Sequence, residues 1–203
     1  ASGLGLLSAT RSENFLTDGD QKHILKNSIL EKQEQVLVTK LMRKSTVHRA
    51  VPVDAILVRR VDAKKQITGY TLIIGLFTSV TYSRSLGTVP LLRMKAENVM
   101  KAAGYDGFEH GGRAMRHILE KYPRDELFQI NHEQLYKTCV SIMLLQEQPR
   151  IALYIRPDIF GRTVTCLIYI PRDIFDSRLR IRFSGILASE LNANLIDFQS
   201  AVD

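Results

Sequence analysis

The sequence predicts an α+β chain, and three observations carry that expectation. β-Branched apolar runs fill residues 35–82. Three stripes at helical spacing fill residues 89–148. After Pro149 the pattern returns to strand, strand, helix, strand. Four segments follow: a polar lead-in at 1–34, a β-rich segment with a hairpin at 35–88, a three-helix segment at 89–148 and a closing α+β module at 149–203.

The lead-in carries only one short helical pattern, "DQKHILKNSILEKQ". "QVLVTKL" from Gln35 to Leu41 is the first strand. "VDAILVRRVD" and "ITGYTLIIGLFTSVTY" are two more, joined by the polar turn "AKKQ". Gly69 and Gly75 inside the latter mark a bulge or a close packing point. "VPLLRMKAENVMKAAG" sets Leu92, Ala96, Val99 and Ala103 on one helix face, with Pro90 in the first turn and Gly104 placed to end it. The loop "GYDGFEHGG" leads to a second helix, "RAMRHILEKY", with the stripe Met115, Ile118, Leu119 and Tyr122. The third helix, within "NHEQLYKTCVSIMLLQEQ", has Asn131 as its cap, Gln134 at N3 and a face of Leu135, Cys139, Ile142 and Leu145.

Pro123 cannot continue the second helix, and Asn131 opens the third. "PRDELFQI" between them is therefore expected to be a linker pinned by Leu127, Phe128 and Ile130, with Arg124, Asp125 and Glu126 pairing locally. In the closing module "RIALYIRPD" and "RTVTCLIYIPRD" are strands around a turn at Gly161. "SRLRIRFSGILASELNA" is an imperfect helix and "NLIDFQS" a last strand. That order matches the latter part of a βαββαβ sandwich. The chain stops at Asp203 without a natural cap, so the module is expected to be truncated there.

A hydrophobic fraction of 45% and a charged fraction of 24% are ordinary for a globular protein. No run of eighteen apolar residues is present to span a membrane, and the first residues lack the basic and long apolar regions of a signal peptide. Cys139 and Cys166 both sit in apolar runs, which predicts two buried free thiols and a cytoplasmic protein. The net charge of +7 invites a nucleic-acid partner. The excess lies in residues 1–65, with 12 Lys/Arg against 7 Asp/Glu, and no stacking-aromatic motif accompanies it, so that partner is disfavoured.

Reactive constellations are weak. His48 in "STVHR" lies among Ser45, Thr46 and Arg49, but adjacency in sequence does not place a nucleophile, and no G-x-S-x-G elbow exists. Asp125 and Glu126 are neighbours and diverge on any regular element, whereas paired acid–base work needs convergence. No Cys/His spacing fits a metal, and the glycines fit neither phosphate-loop pattern. "RPD" and "PRD" set Arg156 beside Asp158 and Arg172 beside Asp173 at strand ends. Arginine forks there suit a carboxylate ligand, so Arg156, Arg162 and Arg172 are the effector-binding candidates; surface ion pairs worth little are the competing reading. The residues alone describe a protein that binds or assembles, with no catalytic residue.

Taken together, "STVHR" (45–49), "GLFTSVTY" (75–82), "PLLRMKAENVMKAAGYD" (90–106), "ILEKYPRDELFQI" (118–130) and "RPDIFGRTVTCLIYIPRDIF" (156–175) with the helix after it resemble one family in order and spacing. It is that of the large bacterial NAD-specific glutamate dehydrogenases, and the likeness runs from about Val36 to Ala193. The resemblance implies a parent several times longer, with its NAD-dependent catalytic domain further along and ACT-like regulatory domains joined by helical motifs in its N-terminal part. This chain is then a non-catalytic regulatory or assembly fragment whose closing module is ACT-like. Its implied partners are the catalytic domain of the same parent chain, further copies of itself in a homo-oligomer, and an amino-acid effector. NAD belongs to the parent, and this stretch has no cofactor of its own. The family's lysine-containing substrate motif is absent here, so no catalytic role carries over. After "STVHR" the family usually continues with Pro and an aromatic-rich strand; this chain has Ala50, Val51, Pro52 and then Ala55. The rival expectation is a free-standing amino-acid-sensing module.

Overall fold

The computed structural model describes residues 35–46, 50–64, 66–105, 109–195 and 197–201. The expected lead-in helix, His48 and Arg49 lie outside the described residues. What is described is α+β: a three-stranded sheet, a run of helices, then a two-stranded sheet and one more helix.

Strands β1 (Val36–Lys44), β2 (Pro52–Val61) and β3 (Ile67–Gly75) form an antiparallel meander in that order. Val38 pairs with Ile56, which pairs with Ile73, and Leu37, Leu57 and Leu72 align likewise. Because side chains alternate, the two sets face opposite ways. Val38 and Ile56 join the helical core. Leu37, Leu57 and Leu72 form a second cluster with Leu41, Val53, Ala55, Ile159 and Phe160. The turn after β2 is held by Asp62, whose carboxylate accepts the N–H groups of Lys64 and Gln66, both at 2.8 Å. The ladder slips between Arg60 and Val61, opposite Gly69 at φ +151°, a bulge that needs glycine.

The long third run does not remain a strand to Tyr82. β3 ends at Gly75, and α1 (Ser79–Ser83) follows. The Phe77 N–H is taken by the Asp54 carboxylate at 2.8 Å, and the Phe77 ring stacks on Phe128 at 4.6 Å. These contacts turn the chain from the sheet toward the helices.

After a short 3-10 turn at Leu86–Thr88 come α2 (Pro90–Ala102), α3 (His110–Lys121), α4 (Arg124–Gln129) and α5 (His132–Glu147). Pro90 opens α2, and Gly104 at φ +72° closes it, with the Tyr105 N–H returning to the Met100 carbonyl at 3.0 Å. Leu92 and Val99 are buried as the stripe requires, and so are Met115, Ile118, Leu119 and Tyr122 of the next one. α3 begins three residues earlier than its pattern, taking His110, Gly111 and Gly112 from the expected loop. A Cβ on Gly111 would lie 2.7 Å from the Tyr105 ring, so the glycine permits that start. Asn131 caps α5, accepting the Gln134 N–H at 2.9 Å, and Leu135, Cys139, Ile142 and Leu145 are buried.

"PRDELFQI" is itself helical as α4 rather than an irregular linker. Leu127, Phe128 and Ile130 are buried as expected. Lys95, only 3% exposed, donates from Nζ to the carbonyls of Leu127 (3.0 Å), Phe128 (2.8 Å) and Ile130 (2.7 Å). Those oxygens at the C-terminal end of α4 would otherwise be buried acceptors, and a cation there also suits the helix dipole.

The closing module has β4 (Ala152–Pro157) and β5 (Val164–Tyr169), antiparallel around Gly161 at φ +69°, then α6 (Ser177–Glu190) capped by Asp176. The strand expected over 194–200 does not form: none of the described residues there belongs to one. Phe198 lies under the Arg180 guanidinium at 4.2 Å, which folds the segment toward α6. Cys139 is fully buried, whereas Cys166 is only half-buried, so the expectation of two buried thiols holds for one.

Lys95→Met is expected to lower unfolding free energy by on the order of 3 kcal/mol, since a charged donor to three buried carbonyls is lost; urea unfolding measures it. Burial pushes the Cys139 thiol from its ordinary 9.0 up to about 12. Its protonated form is favoured by folding, so stability is fully present below about 9 and falls as pH rises toward about 12. Cys139→Ala should flatten that alkaline decline in melts recorded against pH.

Candidate functional site

On an α-helix successive side chains point about 100° apart. Arg124, Asp125 and Glu126 therefore leave α4 in three directions, and each finds its partner outside the trio. The expectation that they pair locally among themselves is corrected.

Arg124 donates to the Glu120 carboxylate at 3.0 Å and to the Arg84 carbonyl at 3.2 Å. Glu120 also accepts the Ser85 hydroxyl at 2.8 Å and the Leu86 N–H at 3.2 Å. Burial alone would raise its pKa, but these hydrogen bonds and the Arg124 charge outweigh burial and hold it below the usual carboxylate value. Asp125 accepts the Tyr82 hydroxyl at 2.8 Å and faces Lys40 Nζ at 3.2 Å. Lys40 in turn bonds Asp54, its cross-strand neighbour, at 2.7 Å. So the Asp54 carboxylate serves both Lys40 and the Phe77 N–H, joining sheet, α4 and the exit from β3.

Glu126 takes the most consequential partner. Arg156 on β4 meets it with a two-point fork, Nε to Oε1 and Nη2 to Oε2, the latter at 2.8 Å. Both residues are buried. Arg162, in the β4–β5 turn, is held by Asp158 through its N–H (2.6 Å), Nε (3.0 Å) and Nη2 (2.8 Å). It also reaches back to the Lys40 carbonyl at 2.6 Å and lies 4.6 Å from the Phe160 ring centroid. One charged system thus ties β1, β2, α4 and the closing hairpin together.

Arg156 and Arg162 lie at the turn end of the β4–β5 ribbon, where Arg156 pairs with Thr165. Arg172 follows the other end, three residues past Tyr169, in an exposed 3-10 turn at Arg172–Ile174. The ribbon holds Arg172 on the order of 15 Å away at about 3.3 Å per residue. The three arginines do not converge, and two already grip carboxylates. Asp173 is exposed, unlike Asp158. Asp125 and Glu126 serve separate partners, so they do not form an acid–base pair. Among the described residues no group of three His, Cys, Asp or Glu could hold a metal. The residues that reading the sequence missed are Lys40, Asp54, Lys95 and Glu120. Lys95 had a signal: it stands at i+3 on the Leu92, Ala96, Val99 stripe, a charge on a core-facing position.

The fold thus defines a class: a helical motif clasped by a buried ion pair to a small α+β unit of strand, strand and helix. A family model described as glutamate dehydrogenase, helical motif 1, matches residues 89–148, and one described as glutamate dehydrogenase, ACT2 domain, matches residues 152–203. The NAD-specific glutamate dehydrogenase of Halomonas elongata is 40% identical over 154 residues, 76% of this chain. That of Pseudomonas aeruginosa is 33% identical over 181 residues, 88% of the chain, and that of Mycobacterium tuberculosis 26% over 129 residues, 64% of it. The chain belongs to the family of large NAD-specific glutamate dehydrogenases. It spans 10%, 11% and 8% of the length of these three relatives.

Glu126→Leu or Arg156→Met alone should cost about 3–5 kcal/mol, because each strands a buried charge, while the two together should cost far less than the sum. A double-mutant cycle in urea measures the coupling; additive losses would refute a coupled pair.

Proposed function

We propose that this chain is a non-catalytic regulatory or assembly segment of a large NAD-dependent glutamate dehydrogenase. The parent reaction is conversion of L-glutamate, NAD and water to 2-oxoglutarate, ammonium and NADH. The observation that carries the reading is the use of the charged residues. Glu126 and Arg156 are spent on joining the helical motif to the ACT2 segment, and Asp158 and Arg162 on holding the β4–β5 turn against β1, which is architecture rather than chemistry. The family matches on those same two segments support it.

On this reading NAD binds elsewhere in the parent. The partners are the catalytic domain of the same parent chain and further copies in a homo-oligomer, and the setting is the cytoplasm. No helix among the described residues is long and apolar enough to cross a membrane. The rival, a free-standing amino-acid sensor, rests on exposed Arg172 alone, since Arg156 and Arg162 would have to exchange their carboxylates for the effector.

The purified chain should give no glutamate-dependent reduction of NAD, followed by absorbance of NADH. Turnover that co-purifies with it through successive columns would overturn the non-catalytic reading. A native gene product of about 23.0 kDa would favour the sensor over the segment.

A further inference from the structure

The helical motif and the ACT2 segment leave a groove where they meet. Its floor is apolar: Ile142 and Leu145 from α5, and Tyr169 at the end of β5. Four nitrogen-bearing side chains line it: His117 and Lys121, one turn apart on α3, the neutral amide of Gln146 on α5, and Arg150 in the connection between α5 and β4. No Asp or Glu among the described residues lines it. The cavity volume is about 210 Å³. Pockets for drug-sized ligands are larger, roughly 300–1,000 Å³, so a dinucleotide is too large and a small acid is not.

We propose that this groove binds a small organic carboxylate with an apolar body. An arginine fork matches a carboxylate at two points, and the positive rim without an acidic side chain favours an anion. The floor removes hydrocarbon from water, which a bare inorganic anion does not exploit. The rim also disfavours an ammonium group beside the carboxylate, so a simple acid is preferred to the zwitterionic amino acid of the same skeleton. The site is separate from Arg156, Arg162 and Arg172, and it does not depend on whether the chain is catalytic.

The test uses the whole 203-residue chain, labelled with nitrogen-15 and titrated with hexanoate, hexanamide, norleucine and inorganic phosphate. Hexanoate should move the amide signals of Ile142, Leu145 and Tyr169 saturably. Hexanamide, norleucine and phosphate should each bind at least about tenfold more weakly, the scale of one charge-assisted hydrogen bond. Arg150→Gln is exposed and should leave the spectrum of the free protein in place while weakening hexanoate by about tenfold. Equal binding of hexanamide shows that charge is not read, and equal binding of phosphate shows that the floor is not. Equal binding of norleucine shows that an ammonium is tolerated. Any of these, shifts confined to another surface, or no saturable shift with hexanoate, overturns the proposal. Activity is not the readout, so the result stands apart from that of the NAD assay.

Discussion

The buried contact between Glu126 and Arg156 sets where the closing module can sit. Taking a carboxylate and a guanidinium out of water costs several kcal/mol each unless each finds the other in good geometry. The ribbon of β4 and β5 therefore docks on the helices only where the two meet. Strand alternation sharpens this: a slip of one residue in β4 would turn Arg156 to the outer face and strand Glu126. Such a pair adds little net stability over an apolar replacement. What it fixes is register. From Arg156 the constraint passes through the β4–β5 ladder to the Asp158–Thr163 turn, then through Arg162 to the Lys40 carbonyl on β1.

α4 makes that constraint transmissible. A six-residue helix is too short to hold its shape alone in water. Here Leu127 and Phe128 bury in the core, Phe77 stacks on Phe128, and Lys95 satisfies the carbonyls at its end. Fixed in this way, it offers Arg124 to the α3 side, Asp125 to the sheet and Glu126 to β4. The sheet is the other shared wall, with Val38 and Ile56 against the helices and Leu57 against Ile159 and Phe160 of the hairpin turn. Among the described residues, the sheet, the helices and the β4–β5 hairpin each pack against the others.

Local periodicity made much of this legible. The stripes of α2, α3 and α5, the Asn131 cap, the ends set by Pro90 and Gly104, and the turns at "AKKQ" and Gly161 depend on residues a few positions apart. The clasp does not. Glu126 and Arg156 are 30 residues apart, and Arg162 and Lys40 are 122 apart, so no window of sequence contains both partners. Proximity along the chain suggested instead that Arg124, Asp125 and Glu126 pair with one another, and helical geometry forbids it. The run to Tyr82 misled for a similar reason. Its composition suits a strand throughout, and only the distant Asp54 and Phe128 bend it at Phe77. The effector candidates Arg156 and Arg162 were found by their chemistry, and that same chemistry is satisfied internally.

The closing module is anchored unevenly. One face of the ribbon is fixed by Arg156 and by the Tyr154 hydroxyl on Ser141 at 2.8 Å. The other face shows Leu153, Ile155 and Val164 largely exposed. α6 contributes no buried residue, and its Ile181 is 64% exposed. Helix and sheet normally stabilise each other by burying facing apolar surfaces, and here that layer is only partly closed. α6 is therefore held by less buried apolar surface than the helices before it. β4 is tied, because its movement would separate two buried charges. The pair thus divides the module into a ribbon locked to the helical motif and a helix that no buried side chain locks to either.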